Sequence, residues 1–408
     1  MSAVSPDQVS LGVLVSTVSR DVIDAAVAAC GVADRRSGGK LPAHVTAYLT
    51  MGLCLFGDDD YEEVATKVTG SLDRWGCWDA SWSVPTASAI TQARKRLGRK
   101  LFAEIFDAVA EPVGGMFTRG AMLRNWRVLA IDGFDVDVAD SVENAAEFGY
   151  AGSEENRSAY PKARVVALSE CGTHAFLAAE VAPYTVGEKT LAKRLYGRLQ
   201  PDELLTADRN FYSYEAWGQA LTSGAALVWR APTQLELPLV RVLRDGTYLS
   251  VLVNPKLRGA RRDAVIAAAK AGDELDPDHG YLVRVVEYNV PDRDGNGTGE
   301  LIVLLTTITD PRKAKADELA GTYHQRWEHE TGNDQLKTHL RGPGKVLRSR
   351  LPDLVHQEIW AWLTVHYAIA TLIAHAAEAA DIDPDRISFT RALRIIRRTA
   401  TGTADIPP

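Results

Sequence analysis

Up to about Met122, apolar positions recur three and four residues apart. SRDVIDAAVAAC, LPAHVTAYLTMGLCLF and DDDYEEVATKVTG predict three helices on that spacing. A loop, WGCWDASWSVP, separates them from TASAITQARKRLGRKLFAEIFDAVAEPV, a helical run that opens after Pro85 with Thr86 suited to capping it. From Trp126 the pattern changes to that of strands. RVLAIDG, DVDVAD, ARVVALSE and HAFLAAEVAPY read as strands, the last two joined by the turn-like CGT. A helix GEKTLAKRLYGRL, a buried strand ELLTAD and a helix SYEAWGQALTSG follow, so the pattern predicts a mixed sheet covered by helices. Between about Ala226 and Asp310 the character is β again: ALVWRAP, LPLVRVLRDG, TYLSVLVN, YLVRVVEYNVPD and ELIVLLTTI, with turn signals RDG and DRDGNG. That block is too long for a connecting loop and reads as an inserted β subdomain. The run 312–341 reads as one helix, followed by a basic loop RGPGKVLRSRLP, an apolar helix from Asp353 and a basic helix from Ser388.

The organisation expected is therefore a helical N-terminal domain over 1–122 and an α/β domain over 123–402, interrupted by the β-strand insertion at 226–310. With 408 residues, 46% hydrophobic and 24% charged, the chain has an ordinary globular composition. The four cysteines, Cys30, Cys54, Cys77 and Cys171, form no CxxC pair, which argues against a zinc site or a disulfide framework. No secretory signal is evident at the N-terminus, and a cytoplasmic location is expected. IWAWLTVHYAIATLIAHAA is nearly long enough to cross a bilayer, but His366, His375 and two threonines interrupt it, and it reads as a buried core helix.

Net charge is −7, which taken alone speaks against a nucleic-acid partner. Its distribution says otherwise. Arg94, Lys95, Arg96, Arg99 and Lys100 form one basic run, Lys337, Arg341, Lys345, Arg348 and Arg350 a second, and Arg386, Arg391, Arg394, Arg397 and Arg398 a third. Screening confines each charge to roughly 8 Å at physiological salt, so local basic surfaces on an acidic body can still bind phosphate.

Two aspartates stand where strands end: Asp132 after VLAI and Asp208 after LLTA. Acids at the carboxyl ends of buried strands reach the crevice where α/β sheets place their sites. Asp135, Asp137 and Asp140 compete for the first position, because side chains alternate along a strand and the sequence leaves open which face is the site. In YHQRWEHETGNDQLK, Tyr323, Arg326, Glu330 and Lys337 share one helical stripe at about 100° per residue, while Glu328 points elsewhere. Asp132, Asp208 and Glu330 together would make an oxygen-only pocket suited to hard divalent ions and to phosphoryl transfer. Singly, each acid could equally be a turn, capping or ion-pairing residue.

The spacing Y-(2)-R-(3)-E-(6)-K resembles the signature of the insertion-element-four family of bacterial DDE transposases. AIDGFDVDVADSVENAAEFGYAG resembles that family's first-aspartate block, ADRNFYS its second, LRSRLPDLVHQEIWAWLTVHYAI its C-terminal helical block and PTASAITQARKRLG its helical N-terminal domain. The resemblance implies an RNase H-like catalytic core whose Asp132, Asp208 and Glu330 hold two Mg²⁺ or Mn²⁺ ions. It also implies that Tyr323, Arg326, Lys337 and Arg209 contact DNA, and that a homodimer cuts transposon ends and joins them to target DNA. A DNA-binding repressor and a plain nuclease of the same fold are the alternatives. Asn210 stands where the family usually has glycine. ELIVLLTTI lacks the aromatic with which some relatives hold a flipped base, leaving Trp229 or Tyr248 as substitutes.

Overall fold

The computed structural model describes residues 12–32, 41–73, 83–153, 155–290, 299–342 and 344–400. The loop WGCWDASWSVP for most of its length, Cys77 with it, and the turn DRDGNG lie outside the described residues.

Among the described residues the chain opens with six helices: α1 (Gly12–Thr17), α2 (Arg20–Ala29), α3 (Ala43–Leu55), α4 (Tyr61–Asp73), α5 (Ala87–Leu97) and α6 (Leu101–Val109). The fourth helical run is thus two helices. Gly98, at φ 73°, ends α5, and Thr86 caps its start by accepting from the Ala89 N–H at 3.3 Å. Next come β1 (Met122–Leu123), β2 (Trp126–Asp137), α7 (Val142–Phe148), β3 (Lys162–Glu170), β4 (Phe176–Pro183), α8 (Glu188–Leu195), β5 (Glu203–Ala207), α9 (Tyr214–Leu221) and β6 (Ala226–Arg230). The sheet runs β4-β3-β2-β5-β6, with β2, β3 and β4 antiparallel and β5 and β6 parallel to β2. Three antiparallel strands followed by two parallel ones on the far side of the first make the RNase H-like order.

The strands β7 (Leu239–Val242), β8 (Tyr248–Val253), β9 (Gly280–Val290) and β10 (Glu300–Thr306) extend that same sheet rather than forming a second one. The joint is the antiparallel pairing of β10 with β6, through Leu304↔Arg230, Leu305↔Trp229 and Thr306↔Val228. The segment expected to be all β also carries a helix, α10 (Gly259–Ala271), whose Val265 and Ala269 pack on Val251. Its sequence GARRDAVIAAAKA is rich in alanine, a strong helix former.

The run 312–341 is not one helix. It divides into α11 (Ala316–His324) and α12 (Trp327–Asp334), separated at Gln325 and Arg326, and ends in a π-helical turn, Gln335–Leu340. α13 (Pro352–Ala380) is the apolar helix expected in the core. It is long and apolar enough to cross a membrane, yet most of its apolar stretch is buried against α3, α6 and the C-terminal helix α14 (Phe389–Ala400).

Much of the basic sequence serves as internal attachment rather than as a free surface. Arg94 is 1% exposed and donates to Tyr61 Oη, Ser349 Oγ and the Leu354 carbonyl. Arg348 donates to the carbonyls of Gly57 and Asp59, and Arg397 to those of Leu55 and Leu340. The carbonyls at the end of α3 have no partner within the helix, and a guanidinium fork supplies several donors at once. These residues therefore hold the N-terminal helices against α13, α14 and the π turn. Lys95, Lys100, Arg350, Arg386, Arg391 and Arg394 remain exposed.

Candidate active site

Parallel pairing of β2 with β5 ends at Ile131↔Ala207, so the next residues stand side by side: Asp208 leaves β5 at its end, while Asp132 lies within β2, which runs on as a single strand to Asp137 where a strand end was expected. Neighbouring strands lie about 4.8 Å apart. Two carboxylates are thus placed together by strand register alone, at the carboxyl edge of the sheet.

The competing acids in and just after β2 are otherwise engaged. Asp135 forms an ion pair with Arg164 at 3.0 Å, Asp137 with Lys162 at 2.6 Å, and Asp140 accepts from Tyr150 Oη at 2.8 Å. Asp132 instead faces α12. Its Oδ2 is 3.6 Å from Arg326 Nη1, while Arg326 Nη2 donates to Glu330 Oε1 at 3.2 Å. Arg326 thus sits between the first and third acids, with its side chain only 9% exposed. Tyr323 Oη reaches Asp208 Oδ1 at 3.5 Å, and the Arg326 guanidinium lies over the Tyr323 ring. Tyr323 is 2% exposed, its ring among the buried residues of β6, β9 and β10, so only its hydroxyl edge faces the acids. Lys337 Nζ lies 5.5 Å from the centre of the Phe134 ring. Phe134, two residues past Asp132, is on the same face of β2. The π turn has therefore not carried Lys337 away from the acid face, although it departs from the regular helical stripe.

Electrostatics follow from this packing. Burial pushes the Asp132 carboxyl up; the Gly133 N–H at 2.8 Å and Arg326 pull it down, while Glu188 and Glu330 push it up again. Arg326 is held more firmly charged than usual, since Tyr323, Asp132, Asp208 and Glu330 together outweigh the cost of its burial. The Tyr323 phenol is raised, chiefly by burial.

Glu188, which the sequence reading passed over, is the first residue of α8. A Cβ on Gly133 would lie 2.9 Å from its Cδ and Oε1, so glycine beside Asp132 makes room for a further carboxylate. Only the adjacency of Gly133 to Asp132 could have hinted at it. Arg209 is exposed and lines an open groove of about 1030 Å³ with Arg164, Glu188, Lys189 and Tyr212. Asn210 lies in a 3-10 turn, Arg209–Phe211, without positive φ, so the turn does not need glycine. Trp229 is fully buried between Tyr196 and Trp217 and is not available to stack on a base. Tyr248 is partly exposed; its hydroxyl donates to Glu287, and it lines a smaller cavity with Arg209 and Arg230.

Among the described residues no three Asp, Glu, His or Cys side chains converge closely enough to share one ion. The donor chemistry is nonetheless that of a hard-cation site, carboxylate oxygen without sulfur or imidazole. A guanidinium already stands between two of the three acids.

Comparison with known proteins covers most of the chain. Residues 8–107 match the N-terminal family of insertion element 4 transposases, and residues 126–367 match the transposase DDE domain. Transposase InsG for insertion sequence element IS4, from Escherichia coli (strain K12), is 25% identical over 88% of this chain and 76% of its own length. Putative transposase InsZ from the same strain is 29% identical over 42% of this chain and 57% of its own. Among solved structures, piggyBac transposase in a synaptic complex with hairpin DNA aligns with 96% of this chain and 80% of its own at 12% identity, with a TM-score of 0.48. The DDE-domain match alone spans more than half of the sequence, so the chain belongs to the insertion-element-four family of DDE transposases.

Proposed function

We propose that this transposase binds the terminal inverted repeats of its element and uses Asp132, Asp208 and Glu330 as the catalytic triad for cleavage and strand transfer. The observation that carries the reading is the register Ile131↔Ala207, which sets Asp132 beside Asp208, with Arg326 joining Asp132 to Glu330 across the crevice. The three carboxylates would hold two Mg²⁺ or Mn²⁺ ions. Such ions supply Lewis-acid stabilisation of the phosphoryl oxygens and a nucleophile at neutral pH.

The chain's own cations do the positioning. Arg326 balances Asp132 and Glu330 in the free protein and is placed to grip a phosphate beside the scissile bond; its planar fork suits bidentate contact. Lys337 flanks the same face as a second phosphate ligand, and Arg209 meets the strand at the mouth of the adjoining groove. Tyr323 orients Asp208 through its hydroxyl, the one edge of a ring otherwise buried that faces the acids, and from there it meets the DNA backbone. The helical domain over 1–122 takes the transposon end, and the unit over 123–402, including the 226–310 insertion, carries out the chemistry. Two ends require two copies, so a homodimer assembles on duplex DNA, in the cytoplasm at the nucleoid.

The test is an assay with labelled duplex carrying the element's own terminal repeats, Mg²⁺ and a target plasmid. Nicked ends followed by joined products are expected, and Asp132→Asn and Asp208→Asn should abolish both while retaining end binding. Nicks without joining would reduce the protein to a nuclease, and end binding without nicks to a repressor. Affinity for end DNA should also fall steeply with salt. Four phosphate contacts, each releasing about 0.9 counterion, cost on the order of 100-fold between roughly 50 and 200 mM salt. A flat salt response would remove the exposed arginines of α14 and its neighbours from the interface.

A further inference from the structure

Glu330 and Lys337 sit on a short helix and a π-helical turn, neither of which belongs to the sheet that fixes the two aspartates. What orients them lies on the other side of that helix. Gln335 is five residues beyond Glu330, about 140° round the helix, and therefore faces away from the acids. Its side-chain Nε2 stands 2.9 Å from His174 Nδ1, and its Oε1 stands 3.2 Å from His366 Nε2. His174 Nε2 is in turn 3.2 Å from Asp385 Oδ1. His366 is fully buried, stacked on Phe389 with ring centres 5.2 Å apart and tilted against Phe176 at 4.8 Å.

One consistent set of donors runs along the chain: His366 Nε2–H donates to Gln335 Oε1 and Gln335 Nε2–H donates to His174 Nδ1, which leaves His174 Nε2–H facing Asp385 at ion-pair distance. The network joins four separate parts of the fold: the β3–β4 turn, the helix carrying Glu330, the middle of α13, and the 3-10 turn Pro384–Arg386 beyond it. Gly332 completes the contact: a Cβ there would lie 3.4 Å from the His174 carbonyl oxygen and 3.7 Å from Phe176 Cζ. His174 is held at φ 59°, which turns its ring toward Gln335 at some cost in backbone strain.

We infer that Gln335 is a positioning residue for catalysis, locking the rotation of the α12–π segment through His174 and His366 so that Glu330 and Lys337 face Asp132. The inference rests on Glu330 being the third carboxylate of the site. A carboxylate carried about 5–6 Å from a helix axis sweeps roughly 2 Å when the helix turns by about 20°. A displacement near 1 Å can cost about 100-fold in rate. Two hydrogen bonds to buried rings from one amide resist such a turn, since rotation would leave both ring nitrogens unpaired.

The test measures single-turnover cleavage of end DNA at saturating protein, end-binding Kd, and thermal melting. Gln335→Met, similar in length but unable to hydrogen-bond strongly, should cleave about 10-fold or more slowly, with Kd within about 2-fold of wild type and melting little changed. Gln335→Glu, which keeps the length and can still accept from His366 Nε2–H, should regain part of the rate. Asp385→Asn, at the outer end of the network, should show the same split more weakly, and it serves if Gln335→Met does not fold. Cleavage at the wild-type rate in Gln335→Met would overturn the inference, as would rate, affinity and melting falling together without rescue by glutamate. Glu330→Gln is run beside them. If it cleaves normally, the triad reading fails; if it is inactive while Gln335→Met is fully active, only the positioning role fails.

Discussion

Glu330→Gln is expected to remove nearly all divalent-metal-dependent cleavage while leaving affinity for end DNA unchanged or slightly higher. The substitution keeps size and shape and deletes one charge. A carboxylate that helps hold a metal at the reacting phosphate acts on the transition state, where several kcal/mol of charge stabilisation correspond to about three orders of magnitude in rate. Binding should survive because Glu330 is an exposed acid rather than a phosphate ligand, and removing negative charge near the backbone relieves repulsion. Arg326 would exchange the Glu330 carboxylate at 3.2 Å for a neutral amide oxygen and keep Asp132 at 3.6 Å, so the segment should not come apart. Glu328→Gln is the control. It makes the same chemical change two residues away, about 200° round the helix, and should leave activity intact. Equal activity of the two variants, with Mg²⁺ dependence retained, would place the third ligand elsewhere.

Glu170→Ala should be the most destabilising single change at a polar position. Glu170 is fully buried at the end of β3. Its Oε2 accepts from the N–H groups of Val113 and Gly114, at 3.2 and 2.7 Å, and from Thr173 Oγ1 at 2.6 Å. Its Oε1 pairs with Arg127, which also donates to the Gly114 carbonyl at 2.7 Å. One carboxylate thus ties the segment after α6 to the first two core strands. Truncating it leaves a largely buried guanidinium and buried backbone donors without partners, a loss of about 3–5 kcal/mol. Replacing both partners with apolar residues, Glu170→Leu with Arg127→Met, should cost less than Glu170→Ala alone, because no charge is then stranded. Urea unfolding followed by tryptophan fluorescence reads both, and a loss under about 1 kcal/mol for Glu170→Ala would mean that water enters and replaces the carboxylate.

Local chemistry written in the sequence carried a long way. The apolar run LLTA before Asp208 marked a true strand end, VLAI before Asp132 marked a strand that runs on to Asp137, and the change of pattern near Trp126 marked where helices give way to the sheet. Thr86 as a cap, and α13 as a core helix rather than a membrane span, were equally readable, since capping depends on the next three residues and burial on continuous apolarity. The spacing of Tyr323, Arg326 and Glu330 also survives in space even though their run is broken at Gln325, because the break falls in one tight turn and not in an added loop.

What the sequence by itself determined is therefore the identity of the elements and the set of residues from which a site could be built. The tertiary structure decided which of them meet. Asp132, and not Asp135 or Asp137, faces Arg326 because α12 packs on the face of β2 that carries Asp132, while on the opposite face β3 supplies Arg164 and Lys162 to the other two, a pairing between strands separated by a turn and a helix. The insertion became an extension of the core sheet through the register of β10 on β6, and Arg94, Arg348 and Arg397 of the basic runs became internal attachments because they meet Tyr61, Ser349 and backbone carbonyls at the end of α3, just after it, in the π turn and in α13. The bonds of Gln335 to His174 and His366 join residues 161 and 31 positions apart. Periodicity reports only what a residue's near neighbours in the chain require. Ion pairs, register and buried polar networks are set between segments far apart in sequence, where each side chain takes the partner that best satisfies its charge or hydrogen bond once water is excluded.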